Sequence, residues 1–254
     1  MPALRISLGL AGRNLLLVRR VPSVFIPSLV MPLFILISTS GAFRGIGALP
    51  DFGGASYLAF TLPMAATMGA GFAGVNSGMT LARDLEGGFF DRLQASPAPR
   101  VALLTGPLLA AVARSLFTTT VVFLAAMIGG VHPPGVIGTS VVYLMAAAFG
   151  SVAALWAIGV AFRTRSIQGA PLMQVVVFMS VFMSVMYTPR SALRGWLAHV
   201  ADWNPVTYIV EASRGAQLEG VTWSLLGPGL LAYAVLLALT GTFALTGLRR
   251  LGTR

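Results

Sequence analysis

An all-α membrane protein of several spans is the fold class this sequence predicts, and three observations predict it. The 254 residues are 56% hydrophobic and only 9% charged, whereas a soluble domain carries about a quarter charged residues. Mean hydropathy is +0.85. The apolar residues fall in runs of about 20, the length at which a helix crosses the hydrocarbon core of a bilayer. The net charge of +10 does not change this reading. Its arginines sit between apolar runs, and are not gathered on one face with aromatic or polar readers as nucleic-acid binding requires.

Taken in order, residues 1–21 place Arg5, Arg13, Arg19 and Arg20 around Ile6, Leu10, Leu15 and Leu16 at helical spacing, the pattern of a helix lying in the membrane interface. The first span follows at 22–40. A basic stretch before an apolar run also fits a signal peptide, but no small-x-small cleavage site follows and five more apolar runs do. Pro27 and Pro32 each remove a helix hydrogen bond, so this span should be kinked and packed on a neighbour. The remaining spans are expected at 57–81, 106–130, 135–162, 169–188 and 225–248 of a single membrane domain.

Arginines accumulate in short cytoplasmic loops. With the N-terminus inside, Arg5, Arg13, Arg19, Arg20, Arg83, Arg92, Arg100, Arg163, Arg165, Arg249, Arg250 and Arg254 face the cytoplasm, and only Arg44, Arg190, Arg194 and Arg214 lie outside. The expectation is six spans with both termini cytoplasmic. Two stretches remain outside the spans: a cytoplasmic loop at 83–100 and an outer segment at 189–223.

Composition also excludes chemistry. Cysteine is absent, which removes thiolate nucleophiles and zinc-thiolate sites. All seventeen cationic side chains are arginine, so no P-loop, which needs its lysine, is present in this sequence. An intramembrane serine protease would need a histidine near Ser77 or Ser151 inside the bilayer, and His132 and His199 both fall in outer loops. No catalytic, cofactor-binding or metal-binding residues are expected. A secondary transporter usually carries ionisable residues at midplane, and apart from Arg114 the spans have none. A lipid scramblase stays open on composition.

In the loop, Leu85, Phe89 and Leu93 recur every four residues with Phe90 alongside, while Asp84, Glu86, Asp91 and Arg92 occupy other faces. This is a short amphipathic helix, ended by Pro97 and Pro99. Acidic groups suit a protein surface better than the anionic inner leaflet.

These residues carry a resemblance. The segment Glu86-Gly87-Gly88-Phe89-Phe90-Asp91-Arg92-Leu93-Gln94-Ala95-Ser96-Pro97 resembles the cytoplasmic loop of ABC type-2 exporter permeases, with its Glu-x-Gly, acidic-basic pair and Leu-rich turn closing on Ser-Pro. Asn204-Pro205-Val206-Thr207-Tyr208-Ile209-Val210-Glu211-Ala212-Ser213-Arg214 is similar to the Asn-Pro-x-x-Tyr segment before the last span of that family. Paired Phe89-Phe90 ahead of Asp91-Arg92 is nearest the daunorubicin-type drug-resistance branch, the commoner branch having Thr in place of Phe89. The resemblance implies the membrane half of an ATP-driven exporter, with ATP and Mg on a separate P-loop ATPase subunit. It further implies a homodimer or a pair with a related permease, in a bacterial plasma membrane and in contact with lipid, moving a small-molecule or lipid substrate. It makes the loop a coupling helix seated on the ATPase through Asp84, Glu86, Phe89, Phe90, Asp91, Arg92 and Leu93, and it makes the outer segment a re-entrant helix.

That outer helix should run from Val206 to Leu218, with Pro205 near its start, where a missing N–H is harmless. Asn204, Pro205, Tyr208, Glu211 and Arg214 are candidates for an outer gate, Glu211 and Arg214 pairing three residues apart; a helix on the outer surface is the alternative. On the fifth span Met179, Met183 and Met186 share a stripe beside Ser180 and Ser184. Flexible, polarizable methionine suits varied apolar ligands, so these residues with Asn76 are a candidate substrate path, against plain helix packing. In the second span Gly74 and Gly78 form a Gly-x-x-x-Gly for packing or a two-fold contact. Arg114 either snorkels to the inner interface or acts as an internal strut on Glu86 or Asp84.

Overall fold

The computed structural model describes residues 7–13, 22–45, 55–88 and 101–251, and among them every regular element is helical. The helices are α1 (Pro22–Ala42), α2 (Tyr57–Glu86), α3 (Ala102–Ile128), α4 (Gly135–Thr164), α5 (Ala170–Phe182), α6 (Trp196–Trp203), α7 (Pro205–Leu218) and α8 (Trp223–Leu251). Short 3₁₀ turns stand at Ile167–Gly169 and Arg190–Ala192, and residues 7–13 are helical. Helices α2, α3, α4 and α8 are long and apolar enough to cross a membrane.

The centre of the bundle is the pair α2 and α4, and α2 also touches α1, α3, α5 and α7. Its composition explains the position. Small residues let neighbouring backbones approach, and a Cβ at Gly74 would meet the Gly150 carbonyl while one at Gly78 would meet Ala157, both on α4. The Gly-x-x-x-Gly face is therefore occupied within the chain. In its most apolar window α2 is 89% buried inside the protein and α8 only 17%. Helix α8 accordingly turns Leu231, Val235, Leu239 and Leu245 outward, as a lipid-facing helix would. It is tied inward by Arg163 of α4, whose guanidinium donates to the Phe243 carbonyl and the Thr246 hydroxyl, each at 2.8 Å, and lies 3.7 Å over the Phe243 ring.

Two expected boundaries move in ways that matter. Helix α2 runs through Glu86 without a break and is capped by Gly87, so Asp84 and Glu86 are the last turn of a long central helix and not the start of a separate loop helix. Phe89, Phe90, Asp91, Arg92 and Leu93 lie outside the described residues. The expected fifth span, 169–188, contains only 13 residues of α-helix, about 20 Å and too short for a hydrocarbon core of about 30 Å. Past Phe182 the backbone is irregular as far as Pro189. Pro189 disfavours helix at Thr188, and the freed carbonyls find side-chain donors on other helices.

The bundle has two ends of opposite character. At the basic end α2, α4 and α8 finish and α3 begins, with Arg83, Arg163, Arg165, Arg249 and Arg250 there. At the aromatic end α2, α4 and α8 begin, α7 packs beside them, and α6 packs against α7.

Candidate functional site

At the basic end the two carboxylates of α2's last turn each hold a different piece of chain. Asp84 takes a two-pronged ion pair from Arg13, at 2.8 and 2.9 Å, which brings the helical stretch 7–13 onto the end of α2. Ser7 of the same stretch shares a hydrogen bond with Thr105 of α3 at 2.7 Å. Glu86 reaches the connection between α4 and α5. One of its oxygens, Oε1, accepts from the Ser166 hydroxyl and, at 3.0 Å, from the Ile167 backbone N–H. A carboxylate at the first N–H of a turn is a charge-assisted cap. Just before it, Arg165 ends α4 in the left-handed region at φ 52°, where glycine is the usual residue. A non-glycine residue held there costs on the order of 1 kcal/mol or more. The connection that Glu86 grips is thus strained as well as capped.

Arg114 is neither a strut on these carboxylates nor at the surface. It is 4% exposed and donates to the Ser77 hydroxyl at 2.6 Å and, within its own helix, to the Ala110 carbonyl at 3.3 Å. Asp84 and Glu86 are engaged elsewhere. The spacing that placed Arg114 near them ignored rotation: its side chain leaves α3 toward the small-residue face of α2, where Ser77 is the polar group within reach.

At the aromatic end the irregular segment after α5 is held by side chains. Asn204 works in two directions. Its carbonyl oxygen accepts from the Val206 N–H at 3.0 Å, capping α7, while its amide donates to the carbonyls of Ser180 at 2.7 Å and Met183 at 3.0 Å, closing the end of α5. Pro205 is the first residue of α7, where it gives up no bond. Arg214, buried on α7, donates to the carbonyls of Val185 at 2.7 Å, Met186 at 3.4 Å and Phe60 at 3.3 Å, and stacks 3.8 Å over the Phe60 ring. The Tyr57 hydroxyl donates to the Tyr187 carbonyl at 2.8 Å. Five carbonyls that α5 would have satisfied by continuing are satisfied instead by three side chains from α2 and α7.

The expected Glu211–Arg214 pair is replaced. Glu211 pairs with Arg190 at 3.4 Å, and Arg190 also holds Asp202 at 2.7 Å and lies over the Tyr208 ring. Tyr208 donates its hydroxyl to the Asp202 carbonyl at 2.8 Å. Burial raises the Glu211 carboxyl above the ordinary carboxylate value, against the lowering pull of Arg190 and Arg214. Arg214 prefers carbonyls because the broken end of α5 offers several at close range inside the protein.

The methionine stripe divides. Met179, Ser180 and Met183 line an open cleft of about 530 Å³ together with His199, Val200, Trp203 and Asn204. Ser184 and Met186 are buried in the core, because the helix has ended and the stripe no longer continues. Asn76 sits half-buried on α2, one turn before Thr80, which bonds its carbonyl. The residues that the sequence did not single out are Arg13, Ser166, Ser77, Tyr57 and Arg190 as partners, and His199 and Trp203 as cleft lining. Only Ser166 carried a local signal, a serine directly after the basic end of a span, in cap position.

A family model described as ABC-2 type transporter matches residues 8–218, most of the chain. The chain belongs to the ABC-2 type transporter family. A daunorubicin resistance ABC transporter permease protein, DrrB1, of Streptomyces coeruleorubidus is 30% identical over 206 residues, covering 80% of this chain and 71% of its own length. This places the chain in the drug-resistance branch of ABC-2 permeases. Membership makes it a multi-pass membrane subunit of an ABC transporter, a complex that includes an ATP-binding partner. The matched region contains both ends described above: the carboxylates that close α2 of the permease, and the Asn-Pro segment that opens α7.

Proposed function

We propose that this permease is the export half of an ATP-driven pump that carries an apolar or amphipathic compound (a drug, an antibiotic or a lipid) out of the cytoplasm. ATP and Mg are handled by a separate P-loop ATPase subunit, since this sequence has no lysine for such a loop. The working unit is two permeases, identical or related, with two ATPases in a bacterial plasma membrane; each permease crosses six times with both termini inside, the fifth passage being made by the short α5 together with the irregular backbone that follows it as far as Pro189. The substrate class is supported by the daunorubicin resistance for which the Streptomyces relative is named and by the lining of the α5–α6 cleft, which has no arginine or acidic side chain.

The observation that carries the coupling is the hold of Glu86 on Ser166 and Ile167. The segment after Glu86 would dock on the ATPase. Displacement of that segment pulls on the last turn of α2, and Glu86 passes it to the turn that begins α5. Helix α5 ends in the carbonyl cluster held by Asn204 and Arg214, so a shift at one end of a short rigid helix reaches the outer segment at the other. Positioning, not chemistry, is the work of Glu86.

Co-expression with the partner ATPase and assay of inverted vesicles tests this reading. ATP should drive uptake of a fluorescent amphipathic drug, and the Glu86→Ala complex should assemble yet lose most transport-stimulated ATP hydrolysis. Drug movement driven by a proton gradient without ATP would reject the exporter, and unaltered stimulation in Glu86→Ala would reject the coupling route.

A further inference from the structure

The arginines of the aromatic end do not all find acceptors in the protein. Arg190 pairs with Asp202 and Glu211, Arg194 donates to the carbonyls of Ser191 and Leu193, and Arg214 holds the carbonyls that follow α5. Arg44 differs from these three. It lies exposed just past the end of α1 and makes no hydrogen bond or ion pair with a described residue. It stands on the wall of a cleft of about 770 Å³ between α1, the start of α2 and the end of α3, a volume within the range of small-molecule sites.

This cleft is graded along its length. On α1, Leu36 and Ile37 line its inner part, Ser40 and Gly41 stand one turn further out, and Arg44 one turn beyond them. The start of α2 repeats the order, with Ser56 outermost and Leu58 inward, and α3 contributes Ala125, a turn inside its end. Polar groups therefore gather at the mouth, and apolar walls continue inward for roughly 10 Å, most of one leaflet's share of the hydrocarbon core. No carboxylate is among the described lining residues, so the mouth is positively charged. The Ser56 hydroxyl accepts from the Ala59 N–H at 3.2 Å, and its own hydrogen meets no acceptor among the described residues. The flanking helices expose Phe34 and Ile37 on α1 and Leu124 and Ile128 on α3. Such apolar flanks open the cleft toward the bilayer.

We infer that this cleft binds an anionic phospholipid of the surrounding leaflet, its phosphate on Arg44 and the Ser56 hydroxyl and an acyl chain along Leu36, Ile37, Leu58 and Ala125. A phosphate oxyanion supplies the acceptor that the Arg44 guanidinium lacks in the protein, and the bond is charge-assisted. A soluble anion would leave the apolar length of the cleft empty. A lipid without net charge would leave the mouth uncompensated. Tyr57 lines the same cleft and donates to the Tyr187 carbonyl at 2.8 Å, so the lipid buttresses one of the three side chains that hold the backbone after α5.

The test supplies the whole chain, purified in detergent, with equal amounts of phosphatidylglycerol and phosphatidylcholine, and counts the lipids each chain retains by native mass spectrometry. The native chain should favour phosphatidylglycerol by about tenfold, the worth of one charge-assisted hydrogen bond, and Arg44→Gln should retain one phosphatidylglycerol fewer per chain. Gly41→Leu should lose the same lipid by a different route. Gly41 lines the cleft and a Cβ there would meet nothing within 4 Å, so leucine fills the space without displacing a neighbour, and the unfolding midpoint should not fall. Arg194→Gln, at the same end but outside the cleft lining, should keep the native count, because lipids held elsewhere are common to every variant. A native count in either Arg44→Gln or Gly41→Leu would overturn the inference. So would an equal loss in Arg194→Gln, which would make the binding a general attraction to charge, or displacement of the lipid by excess inorganic phosphate, which would make the site one for a soluble anion.

Discussion

At the basic end, polar groups meet as opposite charges on partly exposed side chains: Arg13 with Asp84, and the Glu86 carboxylate with a hydroxyl and one N–H. At the aromatic end, a buried guanidinium and an amide meet neutral carbonyls around a helix that has stopped early. Exposed charge pairs gain little in free energy and are readily exchanged, because water screens them and solvates either partner when they part. A buried carbonyl without its donor has no such alternative. The contrast assigns the two ends different mechanical characters: the basic end can be rearranged by a partner at small cost, whereas the aromatic end holds its shape until several bonds move together.

The strongest way to break that contrast is Arg214→Ala. It leaves the carbonyls of Val185 and Met186 without a donor in an emptied, buried space and strips the Phe60 ring of its stacked guanidinium, and at about 1–3 kcal/mol for each orphaned group the expected loss is about 3–5 kcal/mol. Thermal unfolding of the purified chain in detergent measures it, and a midpoint that does not move would mean the carbonyl cluster holds nothing. Next comes Asn204→Ala, which removes both the cap of α7 and the closure of α5, for about 2 kcal/mol. Asn204→Asp separates the two roles: it keeps the capping oxygen and loses the donors, so it should recover only part of that stability.

At the other end the effects on folding are smaller. Glu86→Gln retains an acceptor for Ile167, so stability should change by less than about 1 kcal/mol, while transport-stimulated ATP hydrolysis by the assembled pump should fall. Equal losses of stability and coupling would erase the distinction between the ends. The smallest effect belongs to Asp84→Asn. A double-mutant cycle with Arg13→Gln should return about 0.2–1 kcal/mol for the pair, shrinking in high salt; a coupling energy that ignores salt would mark the pair as buried and rigid after all.

Much of this was legible in the residues. Periodicity and apolar length marked the four long apolar helices, and the Asn-Pro pair correctly signalled the start of α7, because a cap and a proline at the first helical position act through bonds only two or three residues away. The Glu86 and Asn204 motifs stood out as a coupling loop and an outer gate, but nothing in the sequence said that they hold the two ends of α5. What was missed involves choice among distant partners. Glu211 and Arg214 are three apart on one helix, a spacing that permits pairing, but it could not reveal that Arg190 would claim Glu211 or that broken backbone would claim Arg214. Likewise the stripe of Met179, Met183 and Met186 presumed a continuous helix, and only the termination at Phe182 turned Met186 into the core.

By itself the sequence determined that this is a helical membrane protein, basic at one end of its bundle and without a lysine for a P-loop. These follow from composition and local periodicity, which no folding partner can alter. The tertiary structure alone decided that Glu86 grips the α4–α5 turn, that Arg114 answers to Ser77, and that α5 stops short with its carbonyls held by α2 and α7. A hydrogen bond requires a donor within about 3 Å in the right direction, and for residues 29 to 154 positions apart only the packing of the helices provides that.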